Sequence, residues 1–175
     1  MNIFLIGYRG TGKTTVANNL GEQLGWSSLD TDAEIQQRAN KTIAQIFIAD
    51  GEPVFRDWEM SVIKDLAAHD YLVISLGGGA ILREQNRNVI SGRGKTVWLR
   101  ASPETIYERI NADQVSAKQR PNLTAGGGLP EIREVLAQRE PIYRQCADVT
   151  VDTEGKTPSG VTDEIIRLLK LEPTG

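Results

Sequence analysis

A chain that carries Gly7-Tyr8-Arg9-Gly10-Thr11-Gly12-Lys13-Thr14 has few folds open to it, because the pattern G-x-x-x-x-G-K-[ST] works only between a strand and a helix. The flanks meet that demand. Asn2-Ile3-Phe4-Leu5-Ile6 is an apolar run rich in strand formers, and beyond the loop Val16, Leu20 and Leu24 recur at helical spacing. The glycines let the backbone curl so that consecutive N–H groups point at phosphate oxygens, and the following helix directs the positive end of its dipole to the same place. In such a loop Lys13 reaches the β and γ phosphates and the Thr14 hydroxyl ligates Mg²⁺.

Elsewhere apolar runs alternate with helical patterns. Ile3 to Ile6, Ser27 to Leu29, Tyr71 to Leu76, Thr96 to Leu99 and Val149 to Val151 are strand candidates, with helices between them. That order predicts an α/β fold with a parallel sheet and helices on both faces, whose ligands bind beyond the carboxyl ends of the strands. The last helix, Val161 to Leu171, places Val161, Ile165, Leu168 and Leu169 on one face. At 175 residues, 39% hydrophobic and 25% charged, the chain suits one compact domain over 1–175, with no visible linker or repeat. A net charge of −3 argues against a nucleic-acid partner. The lone Cys146 forms no internal disulfide, and no apolar run approaches the roughly 18 residues that span a membrane. A cytoplasmic protein is expected.

Further polar groups cluster at strand ends. In Leu29-Asp30-Thr31-Asp32-Ala33-Glu34, Thr31 and Glu34 read as a capping box, which leaves Asp30 and Asp32 for Mg²⁺ through water or for a substrate hydroxyl. In Glu52-Pro53-Val54-Phe55-Arg56-Asp57-Trp58-Glu59 the proline and the series Phe55, Val62, Leu66 indicate a helix. Arg56 and Glu59 then share a face, either as an exposed ion pair or as a carboxylate steadying an arginine that clamps an anion. Gly77-Gly78-Gly79, after the strand at Val73, lets backbone come close to another group. Arg139 falls on the stripe Ile132, Val135, Leu136 and Tyr143, where a charge either faces a ligand or snorkels from the edge.

Taken together these residues resemble the shikimate kinases, relatives of the nucleoside monophosphate kinases, over essentially the whole chain. The resemblance is carried by Gly7 to Thr15, Asp30-Thr31-Asp32, Phe55-Arg56 with Glu59, Leu76 to Ala80, Arg120-Pro121, Arg139 to Tyr143, Val151-Asp152-Thr153 and Lys156-Thr157-Pro158. It implies a three-layer P-loop NTPase fold: a five-stranded parallel sheet flanked by helices, a substrate-binding helical region near 31–62 and a mobile lid near 111–128. It implies a monomeric enzyme that transfers phosphate from ATP, with Mg²⁺, to shikimate. Gly10, Thr11, Gly12, Lys13, Thr14, Thr15, Arg109, Arg120, Lys156 and Pro158 would bind the nucleotide, and Thr14, Asp30 and Asp32 the metal. Asp32, Arg56, Gly77, Gly78, Gly79 and Arg139 would bind shikimate, and Lys13, Asp32 and Arg120 would be catalytic.

The chain departs from that pattern between Ile110 and Gln119, a stretch longer than the family's lid, and in Asn122 to Gly128, where Gly126, Gly127 and Gly128 stand in place of the usual leucines. A more mobile lid is expected. A kinase of another small hydroxy acid such as gluconate, or a non-catalytic shikimate-sensing domain, remains the alternative. A GTPase would need Asn-Lys-x-Asp, and Asn40-Lys41 is followed by Thr42-Ile43.

Overall fold

The computed structural model describes residues 1–113 and 127–174. Five strands form one sheet: β1 (Asn2–Ile6), β2 (Ser27–Asp30), β3 (Leu72–Ser75), β4 (Gly94–Arg100) and β5 (Val149–Asp152), in the order β2-β3-β1-β4-β5 and parallel throughout. Each observed strand overlaps its sequence candidate and differs by one or two residues at the ends. β1 lies at the centre and is buried at all five positions, as expected where helices cover both faces of a parallel sheet.

Alternation along the strands sends side chains into two cores. Ile3, Leu5, Val97 and Leu99 point to a layer made by α1 (Lys13–Leu24) and α8 (Pro158–Leu169), with Val16, Leu20, Val161 and Ile165. Phe4, Ile6, Ile74 and Trp98 point to the opposite layer. That layer holds α2 (Thr31–Ala39), α3 (Ile43–Ala49), α4 (Glu52–Ala67), α5 (Glu84–Ser91), α6 (Pro103–Ala112) and α7 (Gly128–Cys146), with a 3₁₀ turn over Ala80–Leu82. The fold is the three-layer α/β arrangement that the strand pattern predicts, and no described helix is long and apolar enough to cross a membrane.

Helix starts follow local chemistry, with one correction to the sequence reading. Thr42 and Gln45 form a true capping box on α3, and Ser102 and Thr157 cap α6 and α8. At α2, however, the cap is Asp30, whose Oδ1 accepts from the Ala33 N–H at 3.0 Å. Thr31 is the first helical residue, and its hydroxyl turns inward to accept from the Gly77 N–H at 3.1 Å. The capping box expected of Thr31 and Glu34 is absent because Asp30, one residue earlier, has the extended backbone of a cap (φ −114°, ψ 124°).

Leu20 is wholly buried between α1 and the sheet. Leu20→Ala should lower unfolding free energy by about 2–5 kcal/mol, read as a lower urea midpoint at unchanged slope. A loss below about 1 kcal/mol would mean that α1 is not packed as described.

Candidate active site

The strand ends converge on one cavity of about 480 Å³, whose wall includes Gly12, Lys13, Thr14, Asp30, Asp32 and Gly77. Gly10 and Gly12 hold φ of 80° and 84°, a left-handed backbone that side chains rarely adopt. Gly12 precedes α1 with no side-chain cap, so no described side chain takes up the N–H groups of that helix's first turn as a cap. Lys13 is buried, and its Nζ donates to the Gly7 and Tyr8 carbonyls at 2.8 and 3.0 Å. Thr11 Oγ1 donates to the same Tyr8 carbonyl at 2.7 Å, which fixes the loop from the other side.

Across the cavity, Thr14 Oγ1 donates to Asp30 Oδ2 at 2.9 Å. Asp30 therefore uses one oxygen to cap α2 and the other to hold the loop threonine. Two hard oxygen groups at a phosphate loop have the chemistry that Mg²⁺ takes. Asp32, in the first turn of α2, faces the same space.

The two arginines singled out in the sequence meet at the glycine run. Arg56 on α4 donates to Glu59 Oε1 at 2.8 Å, with Glu52 at 3.5 Å. Arg56 and Glu59 are only 9% and 1% exposed, which rules out an exposed ion pair. Burial pushes the Glu59 carboxyl above its ordinary range, against the opposing pull of Arg56. Arg139 on α7 is 8% exposed, so it does not snorkel, and it lies over the Tyr8 ring at 5.8 Å. A Cβ on Gly79 would sit 2.4 Å from Arg56 Nη2, and one on Gly78 would sit 3.2 Å from Arg139 Nη1. The close approach foreseen for these glycines is the approach of both guanidiniums.

Tyr143 was read as part of the apolar stripe and of the Arg139 to Tyr143 segment, with no role of its own, yet its hydroxyl donates to the Gly78 carbonyl at 2.5 Å. Its signal was its place one turn beyond Arg139 on the same face.

A second cavity of about 300 Å³ adjoins the first across Gly10, Gly12 and Thr15, and is closed by Arg109, Lys156 and Pro158. Arg109 donates to Thr153 Oγ1 at 2.9 Å and to the Thr153 carbonyl at 3.3 Å, which ties α6 to the loop after β5. Glu154 reinforces this link by accepting from the Ser102 N–H at 2.7 Å and from Thr105 Oγ1 at 2.8 Å. These bonds, the Ser102 N–H first, hold its carboxyl below the usual range. Glu154's part was not legible beforehand, since an acid in a loop ordinarily reads as solvated. Lys156 pairs with Glu164. Arg120, Pro121 and most of the expected lid lie outside the described residues. Of its glycines, Gly127 and Gly128 are described: they have φ of 55° and 64° and open α7.

A phosphate loop at the carboxyl end of the central strand, a second cavity adjoining it and a pair of buried arginines at the glycine run define the class as a P-loop kinase. The shikimate kinase family profile matches residues 9–170. The shikimate kinase of Symbiobacterium thermophilum is 40% identical over 170 residues, covering 97% of each chain, and that of Rhodopirellula baltica is 39% identical over 95% of this chain and 89% of its own. A solved shikimate kinase from Acinetobacter baumannii in complex with shikimate superposes with a TM-score of 0.91 at 36% identity, covering 97% of this chain and 92% of that one. The chain belongs to the shikimate kinase family.

Gly79→Ala should displace Arg56, the flexible partner in that 2.4 Å contact, and leave the sheet intact. The expected result is a shikimate KM raised about tenfold or more, equivalent to about 1.4 kcal/mol, with a melting temperature within a few degrees of the parent. Gly94→Ala provides the contrast, because its Cβ would meet the Asn2 carbonyl of β1 at 2.0 Å and should cost stability instead. An unchanged KM in Gly79→Ala, measured by steady-state kinetics, would contradict the placement of Arg56.

Proposed function

We propose that this enzyme transfers the γ-phosphate of ATP to the 3-hydroxyl of shikimate, giving shikimate 3-phosphate. The observation that carries this reading is the meeting of two buried guanidiniums at Gly78 and Gly79, beside the cavity that the phosphate loop lines. Guanidinium forks suit a carboxylate, and two of them make a neutral polyol a poor match. Gluconate also carries a carboxylate, but the relatives that match nearly the full chain bear the name shikimate kinase. A sensing domain is disfavoured because Lys13 and Asp32 are both retained at the cavity.

ATP lies with its base in the smaller cavity against Arg109, Lys156 and Pro158, and with its phosphates on Gly10 to Thr15. Arg56 and Arg139 take the shikimate carboxylate, and the backbone of Gly77 to Gly79 closes on the same end. This leaves the ring hydroxyls toward Asp32, which orients the attacking oxygen and accepts its proton as the new P–O bond forms and the bond to the β-phosphate oxygen breaks. Lys13, together with Arg120 from the lid, stabilises the charge on the transferring group. Thr14, with Asp30 and Asp32, would hold Mg²⁺, which would offset phosphate charge. Lid closure over both substrates keeps water from the reaction. A monomer acting in the cytosol completes the proposal.

Phosphorylation assayed in parallel on shikimate, gluconate and nucleoside monophosphates tests the acceptor, and only shikimate should turn over efficiently. Lys13→Ala should fold normally and lose far more than tenfold in kcat. A loss within about tenfold, only about 1.4 kcal/mol of barrier, would remove the lysine from the chemistry. Arg56→Ala and Arg139→Ala should each raise the shikimate KM by about tenfold or more, from loss of roughly 1.5–3 kcal/mol of charged hydrogen bonding, with the ATP KM little changed. Equal effects on both substrates in steady-state kinetics would count against separate arginine and nucleotide sites.

A further inference from the structure

One cation at the cavity has no role in the scheme above. Arg9, the third residue of the phosphate loop, lines the 480 Å³ cavity together with Asp32 and Gly78. An arginine in an exposed loop ordinarily keeps its whole head in water. Here Nε is buried without a hydrogen-bond partner among the described residues. Arg56 has Glu59 at 2.8 Å to balance it, whereas Arg9 makes no ion pair with a described carboxylate.

Its neighbours add to the imbalance. The Arg9 backbone nitrogen would be 3.6 Å from a Cβ on Gly78, the glycine on which Arg139 also closes. Arg139 lies over the Tyr8 ring, and Arg9 and Arg139 both draw the buried Tyr8 phenol downward against the upward push of its burial. Two like charges beside one buried ring repel unless an anion comes between them. Of the carboxylates near them, Glu59 is already engaged by Arg56.

We propose that Arg9 is a third acceptor-binding arginine, which meets the substrate carboxylate from the phosphate-loop side alongside Arg139. This rests on the reading of the acceptor as a small hydroxy acid. Arg9 thereby joins the two half-sites: the loop that holds the nucleotide also contributes a contact to the acid, and selects acids over neutral polyols.

Calorimetric titration of the full chain with shikimate and with its uncharged methyl ester tests this, using Arg9→Met to keep length without charge and Arg9→Lys to keep charge without the fork. Arg9→Met should weaken shikimate binding by about tenfold, as expected for one charged hydrogen bond, and leave ester and ADP affinities within about twofold. Arg9→Lys should recover part of the loss. Equal weakening of acid and ester would mean that Arg9 only shapes the loop, and unchanged shikimate affinity would overturn the proposal outright. A parent protein that binds neither compound overturns this proposal together with the acceptor assignment. One that binds shikimate through Arg9 but does not phosphorylate it leaves this contact standing and removes only the assigned reaction.

Discussion

β1 is hydrogen-bonded to β3 on one edge and β4 on the other, and is packed on both faces, so its carboxyl end can leave the sheet only by turning over the top. That turn is the phosphate loop. Because the strand cannot shift without breaking both pairings, Lys13 and Thr14 emerge at a fixed height, level with the ends of β2 and β3. Asp30 ends β2 and Gly77 follows β3, and both are tied in by direct bonds: Thr14 to Asp30 and Gly77 to Thr31. The central strand thus sets the registry of a site assembled from several segments far apart in sequence.

The second constraint is the burial of charge. Placing Arg56, Glu59 and Arg139 in the interior is unfavourable unless each finds a partner. Glu59 neutralises Arg56, and the glycines at 78 and 79 leave room for both guanidiniums to pack against the backbone of the run. On the proposed role, an anion binding there would recover the energy spent on holding these groups, because the arginines are already oriented and would lose little freedom on contact. Tyr143 and Thr31 hold the glycine run from two sides through hydrogen bonds of the protein itself.

Much of this was legible in the sequence. The phosphate loop, the five strands and the helix bearing Arg56 follow from patterns in which chemistry and geometry coincide within a few residues. The pairing of Arg56 with Glu59 was legible as spacing, but its burial was not, since burial depends on what α4 packs against. The cap of α2 was misread because Asp30 and Thr31 are both good caps, and the choice between them is made by where β2 ends. Glu154 and Arg9 lay beyond sequence reasoning for a similar reason: a charged loop residue looks solvated until the fold places another segment beside it.

The central proposal is that Arg56, Arg139 and the glycine run, beside the cavity, bind the acceptor's carboxylate while the phosphate loop binds the donor. A crystal structure with ADP and shikimate measures this directly. The carboxylate should lie within hydrogen-bonding distance of both guanidiniums, with a ring hydroxyl at Asp32 and the diphosphate on Gly10 to Thr15. A carboxylate bound away from Arg56 and Arg139, or a ring turned so that no hydroxyl reaches Asp32, would contradict the account.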